Sequence, residues 1–210
     1  MIEVEIWSDF VCPFCSIGKR NFEKALLSFA NRDQVQVTYK CFELNPNAEK
    51  SQKRSIDKLL AEKYGQTEEW AKQRNTSVVK MAAQAGLDFK MDQVIPTNSF
   101  DAHRLSFIAA KAGKQSEWQE QVMTAYFTKG LDIANPEVLQ GLAQNIGVSG
   151  ADVDLVLKSD AYTAEVRQDE EQAQQFGIQG VPFFVFNREF GVSGAQPPEA
   201  FLEVLEKLVW

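Results

Sequence analysis

Ile2-Glu3-Val4-Glu5-Ile6-Trp7-Ser8-Asp9-Phe10-Val11-Cys12-Pro13-Phe14-Cys15 is the stretch whose reading decides the fold. Ile2, Val4 and Ile6 alternate with Glu3 and Glu5, the period of a strand with one face buried. Ser8-Asp9-Phe10-Val11 supplies a turn. Pro13 suits a first helical position, where its missing N–H has no partner to lose. Phe14, Ile17, Phe22, Ala25, Leu26 and Phe29 then recur at the helical period, so one face of that helix is buried. A Cys-x-x-Cys pair at the helix mouth puts two sulfurs one turn apart. The first faces unpaired backbone N–H groups and the positive end of the helix dipole. Both features favour thiolate, the nucleophilic form of cysteine. Cys12 is therefore expected to attack or be attacked, and Cys15, one turn further in, to resolve the mixed disulfide that results.

A Cys-x-x-Cys pair also serves as half of a zinc site, and Cys41 with the single histidine, His103, completes a Cys3His set on paper. Zinc knuckles usually turn on glycine and do not open directly into a long amphipathic helix, so no metal is expected. Core filling explains many buried cysteines but does not require a proline between them at a helix start. Strand, short loop and Cys-x-x-Cys helix together give a thioredoxin-like redox reading.

Bulk properties narrow the function classes. A chain of 210 residues can bury about 70% of its unfolded surface, enough for one large or two small domains. Hydrophobic and charged shares of 44% and 24% are those of a globular protein, and no apolar run approaches the roughly 18 residues of a membrane helix. The chain opens on strand pattern, without the basic and apolar regions of a secretory signal, so a cytoplasmic location is expected. Such a compartment keeps thiols reduced, which argues that Cys41 is not bridged. A net charge of -7 disfavours nucleic acid or anionic lipid as partner.

Val35-Gln36-Val37-Thr38-Tyr39-Lys40-Cys41-Phe42 reads as a second strand, ended by Leu44-Asn45-Pro46-Asn47. From about Lys50 to Phe176 the pattern is helical throughout, with Gly65, Gly86, Gly113, Gly130, Gly147 and Gly177 where C-terminal caps fall. Asn135-Pro136-Glu137, Ser116 with Gln119, and Asn98 read as helix starts. Strand chemistry returns with residues 181–186 and Phe190-Gly191-Val192 about a turn at Asn187-Arg188, before a final helix from Pro197. The fold class is α/β, a thioredoxin-like fold with a large all-helical insertion. The expected division is 1–45 with 177–210 for the sheet domain and 46–176 for the insertion. Residues 1–45 hold too few strands to close a core alone.

Three stretches in order carry a family resemblance: Asp9 to Cys15 with Gly18, Asn98-Ser99-Phe100-Asp101-Ala102-His103-Arg104-Leu105, and Gly177-Ile178-Gln179-Gly180-Val181-Pro182-Phe183-Phe184 followed by residues 193–197. Over nearly its whole length the chain resembles the DsbA-type thiol oxidoreductases, in particular their cytoplasmic FrnE-like branch. The resemblance implies thiol–disulfide exchange with no external cofactor, the redox-active pair being Cys12 and Cys15. It implies a cis Pro182 beside that pair and substrate contacts at Pro13, Phe14, Gly180, Val181, Asn98, His103 and Arg104. Taken by themselves, Pro182 reads as an ordinary strand-starting proline, His103 as a hydrogen-bonded core residue and Cys41 as packing. Implied partners are protein thiols or disulfides, or glutathione, with reductase or isomerase duty slightly favoured. The kappa-class glutathione transferases and 2-hydroxychromene-2-carboxylate isomerases look similar but use a serine where this chain has Cys12. A chaperone-like protein that binds without catalysis is the remaining alternative.

Overall fold

Strand β1 (Ile2–Ser8) pairs in parallel with β2 (Val35–Cys41) and antiparallel with β3 (Phe183–Phe186), which pairs with β4 (Phe190–Ser193). The order across the sheet is β2-β1-β3-β4. The computed structural model describes residues 1–209, so Trp210, which extends the apolar tail Leu205, Leu208 and Val209, lies outside the described residues. The register Val4↔Phe186 and Ile6↔Phe184 joins the two ends of the chain.

Period-two alternation sends β1 side chains to opposite faces. Ile2, Val4 and Ile6 pack with Phe22, Ala25 and Phe29 of and beside α1 (Pro13–Ser28), with Phe184 and Phe186, and with Phe201 and Leu205 of the C-terminal helix Pro198–Lys207. Phe22, Phe184 and Phe201 form a ring cluster with centroids 4.5 to 5.6 Å apart. Trp7 turns to the other face, where it packs with Ala173, Ile178 and Val185. The Asn187-Arg188 turn between β3 and β4 holds both residues at positive φ, 49° and 57°, without a glycine.

The chain forms two compact units, residues 1–44 with the segment from Ala164 onward, and Asn45–Thr163. The sheet unit thus resumes earlier than residue 177 of the sequence reading. The cause is the helix Thr163–Gln175, whose Asp169 carboxylate accepts from Cys41 N at 3.0 Å and Lys40 Nζ at 2.9 Å. Trp7 Nε1 donates to the Asp169 carbonyl at 2.9 Å. The buried Asp169, through two bonds to its carboxylate and one to its carbonyl, binds that helix to β1 and β2.

The second unit is helical: α2 (Ile56–Tyr64), α3 (Glu68–Ala85), α4 (Phe100–Lys111), α5 (Gln115–Phe127), α6 (Pro136–Asn145) and α7 (Gly150–Leu157). Thr163–Gln175 and Pro198–Lys207 are then α8 and α9. Gly65 and Gly86 close α2 and α3 in the left-handed region, as a C-terminal cap requires. Asn135 caps α6, its side chain accepting from Glu137 N at 2.8 Å behind Pro136 at N1. Two expectations fail. Ser116 and Gln119 form no capping box, because Ser116 lies inside α5, which starts at Gln115 behind Lys114. Residues 87–99 are not helical; they are held by long-range backbone contacts such as Lys90 N to Phe127 O at 2.8 Å and Gln52 N to Pro96 O at 2.9 Å. Among the described residues no helix is long and apolar enough to cross a membrane.

Candidate active site

The loop that leaves β1 is drawn tight by its own backbone and by Asp9. Cys12 N donates to Asp9 O and Cys15 N to Cys12 O, both at 3.1 Å. The Asp9 carboxylate is buried, accepting from Leu44 N at 2.7 Å and Val11 N at 3.4 Å, which ties the loop to the end of β2. Cys12 is therefore fixed as the N-cap of α1, with Pro13 at N1 and no acidic residue in the first turn to oppose a negative charge there.

Both sulfurs lie inside the first unit. Cys12 keeps 3% of its surface exposed and Cys15 1%. The Cys12 thiol donates to the Val181 carbonyl oxygen at 3.6 Å, from the residue that precedes Pro182. The Val181–Pro182 peptide bond is cis. Pro182 in turn sits on α1: a Cβ built on Gly18 would meet Pro182 Cγ at 2.9 Å and Phe184 Cζ at 3.4 Å. Pro182 O accepts from Gly194 N at 2.8 Å, which fixes the proline from its far side. A Cβ on Gly180 would meet nothing within 4 Å, so no part of the chain crowds the backbone there. Pro13, Phe14 and Val181 are half-buried around the pair.

Cys15 is the deeper sulfur. Burial, followed by its contact with Cys12, pushes the Cys15 thiol well above the usual cysteine range. Asp9 N–H donates to its sulfur at 3.4 Å, and this bond and the neighbouring Ser8 act the other way. Cys41 is likewise pushed up by burial and by the neighbouring Asp169. The three cysteines are thiols, and among the described residues no three His, Cys, Asp or Glu side chains are gathered so as to hold a metal ion.

Asn98, His103 and Arg104 belong to the second unit. Asn98 Oδ1 accepts from Phe100 N at 2.9 Å, which starts α4, and its Nδ2 donates to Ala48 O at 3.3 Å. His103 is buried within α4. The Arg104 guanidinium donates to Ala161 O at 2.9 Å, Val156 O at 2.5 Å, Ser159 O, and Asp101 Oδ1 at 3.0 Å. It thereby ties α4 to the last turn of α7 and to the chain that follows it.

Sequence reasoning placed Ser8 and Asp9 in a turn, and Asp9 and Gly18 in a stretch that carries the family resemblance, but named none of the three as a site residue. Ser8 carried a signal. It continues the inward series Ile2, Val4, Ile6, and a polar residue at an inward strand position needs a partner.

Comparison with known proteins places the fold. The model of the DSBA-like thioredoxin domain matches residues 3–206. The chain belongs to that family. Among solved structures, this DSBA-like chain is similar to a probable DsbA oxidoreductase from Streptomyces coelicolor, 38% identical, with a TM-score of 0.94 over 99% of this chain and 89% of that one. Among curated proteins it is similar to the uncharacterized protein YwbO of Bacillus subtilis, 28% identical over 95% of this chain and 94% of the relative. The cytosolic disulfide reductase DsbM of Pseudomonas aeruginosa, solved alone and with GSH, shares the DSBA-like fold at 15% identity, with a TM-score of 0.70 over 99% of this chain and 98% of that one.

Proposed function

We propose that the chain is a thiol–disulfide oxidoreductase working through Cys12-Pro13-Phe14-Cys15, with Cys12 as nucleophile and Cys15 as resolving thiol. One observation carries the reading: Cys12 sits at the mouth of α1 with its sulfur 3.6 Å from the Val181 carbonyl, and Cys15 lies buried behind it. Cys12 thiolate attacks a substrate disulfide, forming a mixed disulfide and releasing one substrate thiolate. Cys15 then attacks the Cys12 sulfur, forms the internal disulfide and releases the second. The backbone around Val181 and Pro182, just ahead of β3, suits an extended substrate added as a short strand, with Gly180 leaving room for it. Pro13 and Phe14 flank that line.

The partners are protein thiols or disulfides, and glutathione as a redox partner in line with the GSH-bound structure of DsbM. The reductase or isomerase direction suits a cytoplasmic setting, where the thiol pool is reducing. Substrate contacts at Asn98, His103 and Arg104 rest on the family resemblance alone. A serine-dependent glutathione transferase mechanism is disfavoured by the thiol at Cys12.

Cys15→Ser removes the resolving step and traps whatever Cys12 holds. Mass spectrometry of the variant is expected to find protein chains, glutathione or both bound at Cys12 and absent in a Cys12→Ser control. A variant that accumulates no adduct under oxidising conditions overturns the proposal.

A further inference from the structure

Resolution of a mixed disulfide is an intramolecular step. Cys15 loses its proton and its thiolate attacks the Cys12 sulfur; the bond from Cys12 to the substrate sulfur breaks, and the leaving substrate thiolate takes up a proton. Such a step owes its rate to the two groups being held in line, and a misplacement of about 1 Å costs about a hundred-fold. It therefore depends on whatever fixes the Cys15 sulfur relative to Cys12. Cys12 is the N-cap of α1 with no side-chain cap, so its N–H is anchored outside the helix.

Asp9 provides that anchoring with each of its polar groups. Its carbonyl accepts from Cys12 N at 3.1 Å, and its N–H donates to Cys15 Sγ at 3.4 Å. Asp9 is 1% exposed, and its carboxylate accepts from Val11 N at 3.4 Å and from Leu44 N at 2.7 Å. The Val11 bond is the local turn an aspartate makes in many loops. A turn alone does not call for a buried carboxylate, which is costly to desolvate. The Leu44 bond is of another kind, reaching 35 residues along the chain to the segment just past β2. β2 is locked to β1 from Ile2↔Val35 to Ser8↔Cys41, so Leu44 gives the Asp9 side chain a fixed post. A residue pinned in this way holds its own C=O and N–H in place, one on each cysteine.

We infer that the Asp9 side chain is a positioning residue for the cysteine pair: anchored on Leu44, it sets the Cys15 sulfur against Cys12 and so governs the rate at which Cys15 resolves a mixed disulfide. The inference rests on the proposed exchange function and extends it to a residue outside the Cys-x-x-Cys motif. Its effect is confined to the intramolecular step. Attack by Cys12 on an incoming disulfide is bimolecular and does not depend on where the Cys15 sulfur lies.

Reaction of the reduced protein with 5,5′-dithiobis(2-nitrobenzoate) separates the two steps. Attack by Cys12 releases one coloured thiolate and leaves a mixed disulfide; attack by Cys15 releases the second. In stopped flow, Asp9→Leu, close to aspartate in shape but without an acceptor, is expected to slow the second phase by at least about ten-fold and to change the first by less than about three-fold. Asp9→Asn keeps an oxygen for Leu44 N and restores the second phase. Loss of the carboxylate charge does not give that pattern, since Asn lacks the charge as Leu does. A native second phase in Asp9→Leu, a loss as deep in Asp9→Asn, or equal slowing of both phases overturns the positioning role. If Asp9→Leu fails to fold, amide hydrogen exchange reads the contact without altering Asp9. Removing the sulfur in Cys15→Ala is expected to speed exchange at the Asp9 N–H by at least about ten-fold with the β1 ladder amides unchanged, and equal rates overturn the inference. A native protein that releases no second thiolate instead overturns the exchange function itself, so the two failures are distinguishable.

Discussion

Cys15 and Cys41 are both pushed well above the ordinary cysteine range, and in both burial is the largest cause. The neighbours differ. Cys15 has Cys12 beside it, with the Asp9 N–H and the neighbouring Ser8 opposing the shift, whereas Cys41 faces Asp169 and Glu170 with Lys40 opposing. A thiol held neutral in the fold, but able to ionise once unfolded, contributes stability that is fully present below the unfolded value. That stability is lost as pH rises toward the folded value. The melting temperature of the reduced protein is therefore expected to decline as pH is raised past about 8.5, with little change at lower pH from these two groups. Cys41→Ala removes one of the two contributions, and calorimetry in the presence of a reductant should show a shallower decline for it than for the native chain. Equal slopes for both proteins would mean that Cys41 does not titrate as its surroundings dictate.

At the level of elements, the contact of α1 with the segment leading into β3 determines whether the site exists. Glycine inside a helix is normally a weakness of about 0.5 to 1 kcal/mol relative to alanine. Gly141 in α6 has nothing within 4 Å of a built Cβ, so Gly141→Ala is expected to stabilise the protein by about that amount. Gly18 in α1 is the opposite case, with Pro182 Cγ at 2.9 Å and Phe184 Cζ and Ala195 Cα at 3.4 Å. Gly18→Ala gains the same helix propensity but must push ring and backbone apart, and overpacking of this kind costs about 1 to 3 kcal/mol. Urea denaturation should find the first variant more stable than native and the second less. Gly18→Ala should also slow capture of substrate at Cys12, because the Val181 carbonyl moves with Pro182. The sequence made α1 legible through its period and Pro13, and it made β1 legible through alternation. It could not reveal the Gly18 contact, since nothing local distinguishes a glycine that admits a proline from far along the chain from one that faces solvent. The irregular run over 87–99 was hidden for a related reason: Phe89, Met91 and Val94 are buried, so the apolar pattern persists where the helix does not.

At the level of the whole molecule, the two ends of the chain are one folding unit because of strand order. β1 lies in the middle of the sheet, with β2 on one side and β3, from the far end of the chain, on the other. That interdependence was readable from the shortage of strands near the N-terminus. The membership of α8 was not, because the buried Asp169 that binds it to β2 looks in sequence like one more acidic residue on a solvated helix. A sheet reduced to β1 and β2 lacks Phe184, Phe186, Phe201 and Leu205, four of the eleven buried members of its apolar cluster. Two strands with an uncovered face are marginal in water. The helical unit has a core of its own instead, with Trp118, Val122, Tyr126, Phe127 and Leu139 at most 2% exposed and Phe89 stacked on Phe127 at 4.5 Å. Residues 45–163 expressed alone are therefore expected to melt cooperatively with a helical circular dichroism spectrum. Residues 1–163, which keep the Cys pair but lose β3, β4, α9 and nearly all of α8, should show protected amides only in the helical unit by hydrogen exchange. Both cysteines of the pair should then react with iodoacetamide at unfolded-chain rates. Slow labelling of Cys15 in that truncated chain would mean that β1, β2 and α1 close a core without the C-terminal strands, against the argument from the sheet order.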